Sequence, residues 1–198
     1  DRLLTDKSNV TLLDETTKEH PITSDWSNLQ LTIKNFDSSK ATGLFRISGN
    51  HATNKGDFSW QGHFLDANTV EGKLMLNNFP AAILFQKLLP ESKDLVHGNA
   101  TLSGDLNFSS KKTTSVNYTL DGAILELHDL RLLHKRNTWL KASSVHFTRL
   151  SKTADQYTLG NIFFKDATLS LDNHTLPPLL SHLLTAEKRP LIMGIDFA

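Results

Sequence analysis

The sequence predicts a mostly β fold: a curved antiparallel sheet carrying two short helices. Three observations lead there. Apolar and polar residues alternate with a period of two over long runs, as in strands with one face out of water. Turn-forming residues separate these runs at short intervals, which forces neighbouring strands to be antiparallel. Two apolar segments flanked by proline break the alternation.

The strands follow in order. Between Asn28 and Asn35, Leu29, Leu31 and Ile33 alternate with Gln30, Thr32 and Lys34. From Gly43, Phe45, Ile47 and Gly49 share one face against Arg46 and Ser48. From Gly56, Phe58, Trp60, Gly62 and Phe64 oppose Ser59, Gln61 and His63. Val70, Gly72, Leu74 and Leu76 come next, and Val96 to Phe108 holds one parity through Leu102, Gly104 and Leu106. Val116, Tyr118 and Leu120 continue the pattern. Hairpin loops fall at 51–56 and 66–69, a polar loop at Ser109 to Ser115, and a tight turn at Asp121-Gly122. Residues 27 to 127 should therefore form a meander. Ala123 to Leu133, Trp139 to Leu150, Tyr157 to Leu171 and Leu191 to Phe197 read as further strands. Bulges are expected near His128-Asp129 and at Ser143-Ser144, where the parity slips.

The two helices are placed at 80–89 and 177–187. For the first, Asn78 is the expected N-cap, Pro80 suits the first turn and Pro90 ends the helix. The second has a nearly continuous apolar surface and should pack on an open end or edge of the sheet.

Composition narrows the function classes. Lys plus Arg and Asp plus Glu each total 21, so the formal charge is zero. That gives neither the basic surface nucleic acid needs nor a polybasic membrane patch. The absence of cysteine removes disulfides, thiol catalysis and thiolate metal sites. No apolar run approaches the roughly 20 residues of a membrane-spanning helix. The beginning at Asp1 to Lys7 and the end at Gly194 to Ala198, in mid-strand character, suggest a segment of a longer protein. Five N-x-S/T triplets, starting at Asn9, Asn99, Asn107, Asn117 and Asn173, are read as products of an Asn- and Thr-rich β surface.

Catalytic constellations are not found. His128, His134 and His146 fall on neighbouring strands near Asp129, but without zinc-site spacing, and read as solvent-facing. Asp14 and Glu15 precede a turn and are expected to cap it. No G-x-S-x-G elbow or phosphate loop occurs. Trp60 belongs with Phe58 and Phe64 on the apolar face, whereas Trp26 and Trp139 sit at strand starts and are expected at the ends. No catalytic residue, metal or cofactor is assigned, and the chain is expected not to be an enzyme.

Several stretches in order carry a family resemblance. Asn9 to Thr17 ends a strand in "D-x-T"; Pro21-Ile22 follows, then Leu29 to Phe36. Glycine-punctuated strands come next, at Gly72 to Leu76 and Leu102 to Leu106. Leu127 to Leu132, Trp139 to Ala142, Leu159 to Ile162 and Asp166 to Leu171 complete the set. This order resembles the AsmA-like, TamB-related bacterial envelope proteins, in particular the subgroup described only as a domain of unknown function. The likeness covers most of residues 8 to 172. It implies a periplasmic protein anchored in the inner membrane through a segment outside these residues. It also implies β-groove units that stack into a trough shielding phospholipid acyl chains between the two membranes.

On that basis the 198 residues form one β-groove domain of a longer repeat protein. Residues 1–127 are its first meander and 128–198 its continuation. Its partners would be phospholipid acyl chains and neighbouring repeats of the same chain. The expected lipid-groove residues are Leu29, Leu31 and Ile33; Phe45 and Ile47; Phe58, Trp60 and Phe64; Leu74 and Leu76; and Leu102, Leu106 and Phe108. The alternative is a structural or assembly domain whose apolar face is a closed core with no ligand.

Overall fold

The computed structural model describes residues 2–14, 22–51, 56–85, 96–111, 115–134, 137–153, 156–158, 160–170 and 194–197. It is one 12-stranded sheet, curved and unclosed. Strands β1 (Arg2–Asp14), β2 (Ile22–Asp37), β3 (Thr42–His51), β4 (Asp57–Asp66), β5 (Thr69–Pro80), β6 (Val96–Lys111), β7 (Ser115–His134) and β8 (Asn137–Thr153) lie side by side in chain order. Each pairs antiparallel with the next. The expected meander is therefore present and extends to β8.

Beyond β8 the pattern changes. The single strand expected at Tyr157 to Leu171 is divided into β9 (Gln156–Thr158), β10 (Asn161–Lys165) and β11 (Thr168–Leu169). All three run along β8 in one constant register: Ser151 faces Thr158, Phe147 faces Ile162 and Lys141 faces Thr168. The last strand, β12 (Gly194–Phe197), pairs parallel with β10. The sheet is thus antiparallel except at this edge. Short links impose antiparallel order, and the long stretch between Lys165 and Gly194 does not.

Two turn expectations need correction. Asp121-Gly122 is not a turn, because β7 runs through it. Gly122 has φ +57, and the registers on both sides slip there, against β6 between Ser103 and Asp105 and against β8 between Leu120 and Ala123. The pair serves a bulge, which uses the same left-handed glycine as a tight turn. Asn78 is not an N-cap. It lies in β5 at φ +49, where the register with β6 shifts between Leu76 and Phe79.

Helix α1 (Ala81–Phe85) lies within the expected 80–89, with Pro80 closing β5 before it, and it packs on β6 and β5; residues 86–89 lie outside the described residues. The helix expected at 177–187 lies outside the described residues. No described helix is long and apolar enough to cross a membrane.

Slips at matching heights bend β7, β8 and β10 together. Leu127 and Leu130 are both buried, as are Ala142 and Val145, so parity changes at Asp129 (φ +51) and at Ser143-Ser144. The bulge expected near His128-Asp129 is present as a register shift against β6 between His97 and Asn99. At Ser143-Ser144 the parity slips but the register does not, either against β7, where His128 faces Ser144 and Leu130 faces Ala142, or against β10 and β11, so the bulge expected there is not formed. Ser143 Oγ donates to Asp166 Oδ2 at 2.9 Å, at the break between β10 and β11 where Asp166 has φ +50. Asn and Asp occupy most of these left-handed positions, at the lowest cost among residues with a Cβ.

Candidate functional site: an apolar trough

Residues directly opposite in a ladder share a face, so the registers decide which side chains meet. One row runs Leu31, Ile47, Trp60, Leu74, Gly104 across β2 to β6. A second runs Ile33, Phe45, Gly62, Gly72, Leu106, Leu120. A third runs Phe58, Leu76, Leu102, Leu125, Phe147, Ile162. A fourth runs Gly43, Phe64, Val70, Phe108, Tyr118. Leu29 joins them against Gly49. All thirteen groove residues expected from the sequence therefore lie on one face, and the four rows contain no Asp, Glu, Lys or Arg.

The opposite face is polar. Its rows read Thr32, Arg46, Gln61, Lys73, Asp105, Asp121 and Gln30, Ser48, Ser59, Met75, Ser103, Ile124. This is the pattern of a sheet with water on one side.

The sheet curls toward the apolar face. Trp26 on β2 stacks on Phe79 of β5 with ring centroids 5.7 Å apart. Those strands are three positions apart, roughly 14 Å in a flat sheet. Trp60 on β4 likewise reaches Phe108 on β6 at 5.2 Å. Curvature of this kind needs backbones that approach closely. Gly62 and Gly72 face each other across β4 and β5, and a Cβ on Gly62 would lie 2.5 Å from Gly72 Cα and overlap the Glu71 carbonyl oxygen.

Burial divides the trough. Among the thirteen residues, only Phe45, Leu76 and Leu102 are buried, at 6 to 8 % exposure. The other ten are half-buried. The deep part lies further along, where Leu125, Leu127, Leu130, Val145 and Ile162 pack with α1 and Trp139. Trp139 belongs to the buried core, near the start of β8. Phe36, 44 % exposed, rests edge-on against Phe64 at the rim.

Sequence reasoning missed the polar atoms of this face. His51 continues the parity of Phe45, Ile47 and Gly49, which was the available signal, and is 3 % exposed. It sits edge-on to Trp26 (5.4 Å) and to Phe79 (5.3 Å). Burial lowers its pKa below the ordinary value, against a weaker opposing pull from Asp25. On the other face, His128 Nε2 lies 3.9 Å from Glu126 Oε2, and the ring of His146 is 6.4 Å from that of Phe163. Among the described residues no group of three or more His, Cys, Asp or Glu is placed to hold a metal ion.

Comparison of the chain with protein-family models, with curated proteins and with solved structures gave no match.

Proposed function

We propose that this chain is a lipid-binding module of the bacterial envelope, holding phospholipid acyl chains in its apolar trough between the inner and outer membranes. The observation that carries this reading is the uncharged apolar face of β2 to β7. It is continuous across six strands and only half-buried over most of its area, in a sheet that does not close on itself. Such a face must be covered by something apolar. An acyl chain covers it at about 0.8 kcal/mol per methylene removed from water. The envelope setting, the inner-membrane anchor and the stacking with further units rest on the resemblance to AsmA-like, TamB-related proteins. The role is one of holding and shielding, with no reaction at the trough.

The closed-core alternative finds support in one place, the buried cluster under α1 on β5 to β8 and β10. That cluster serves the domain's own stability and leaves most of the face on β2 to β4 half-buried, with no described element over it.

Native mass spectrometry of gently purified protein tests the proposal. The unmodified chain should carry acyl lipid. Ile47→Glu, half-buried at mid-trough, should keep its β circular dichroism and lose the lipid at least about tenfold. A lipid-free mass for the unmodified protein would refute the reading.

A further inference from the structure

Four side-chain nitrogens are buried with no hydrogen-bond partner among the described residues: Trp26 Nε1, His51 Nδ1, His51 Nε2 and Trp60 Nε1. All four belong to the apolar face. Buried polar atoms are almost always paired, because an orphan keeps its desolvation cost and gains nothing. Three of the four sit in one cluster, where Trp26 and His51 meet Phe58 and Phe79 at the α1 end of the trough.

The donor inventory fixes what would satisfy them. An indole offers one N–H and accepts nothing, and a neutral imidazole offers one N–H and one lone pair. Burial favours the neutral form of His51. The cluster therefore presents two donors and one acceptor in an aromatic surround. A phosphate would bring charge into a site where no cation among the described residues pairs it. An ester carbonyl accepts and leaves the imidazole lone pair unmet. A hydroxyl or an un-ionised carboxyl both accepts and donates.

We propose that the Trp26–His51 end of the trough receives the hydroxyl or carboxyl group of an acyl lipid, its chain running on past Trp60. This rests on the reading of the trough as an acyl-chain site. The group accepts from Trp26 Nε1–H and donates to the free nitrogen of His51. A fatty acid and a lipid with a free hydroxyl share this chemistry.

The test is titration of the full ¹⁵N-labelled chain with dodecanol, dodecanoic acid and methyl dodecanoate. It is followed through the indole N–H signals of Trp26, Trp60 and Trp139. Dodecanol, dodecanoic acid or both should bind roughly five- to tenfold more tightly than the methyl ester. They should also move the Trp26 signal downfield and leave that of Trp139, in the core, in place. Whichever of the two binds more tightly identifies the source of the group. His51→Phe should bring the tighter ligand down to the level of the ester; if that variant does not fold, the Trp26 shift in the unmodified protein decides. Equal affinity for all three with an unmoved Trp26 signal would overturn the inference, with a trapped water then satisfying the cluster, and leave the trough reading standing. No binding of any of the three would overturn both.

Discussion

At the scale of the residue, the trough depends on atoms that are missing as much as on those present. Gly62 and Gly72 leave no room for a methyl group between β4 and β5, since each would drive a Cβ into the opposite backbone. Gly62→Ala should therefore cost about 1–3 kcal/mol in urea unfolding. Burial depth makes a second prediction. Leu127, 1 % exposed, should lose about 2–5 kcal/mol on change to alanine. Half-buried Leu31 should lose less than half as much, because part of its surface is already in water. His51 adds a pH dependence. Its folded-state pKa is lowered from 6.5, so the unfolded chain binds the extra proton first as pH falls. Stability should be flat above pH 6.5 and decline from there toward the lowered value, and His51→Phe should flatten that decline. Parity pointed to Phe45, Ile47 and Trp60, and would have pointed to His51 had the run been followed to its end. The lack of a partner for its nitrogens among the described residues depends on neighbours from β2 and β5 that no local pattern reveals.

At the scale of the element, strands were legible and their interruptions were only partly so. Alternation located β2 to β7 because each run exposes one polar and one apolar face. It located the bulge at Asp129 because the buried set passes from Leu127 to Leu130. Asp121-Gly122 misled because a left-handed glycine serves a hairpin turn and a bulge equally well, and only pairing with β6 and β8 tells them apart. Its conformation remains testable. Gly122→Ala should cost about 1 kcal/mol, because a Cβ there meets no neighbour and the penalty is the positive φ alone. Gly122→Asn should cost less, and thermal unfolding of both variants measures the difference. Asn78 misled in the same manner: it favours N-caps and left-handed bulges alike, and here it bends β5 ahead of α1.

At the scale of the whole molecule, a sheet of this length with one uncharged face either closes, receives a second layer or holds a ligand. The described strands do not close, since β1 at one edge and β12 at the other do not pair. The polar outer rows leave water on the convex side. The meander and its shared apolar face could be read from periodicity because both follow from local alternation and short links. The depth of the trough could not, because it follows from curvature summed over many strands. The parallel edge at β12 comes from a long connection whose course no alternation encodes. The most direct measurement places a photo-crosslinking residue at Ile47 on the trough face and, separately, at Gln61 on the outer face, followed by mass spectrometry of the adducts formed in cells. An acyl-lipid adduct at Ile47 and none at Gln61 is the predicted result; no lipid at Ile47, or equal lipid at both, would contradict the account.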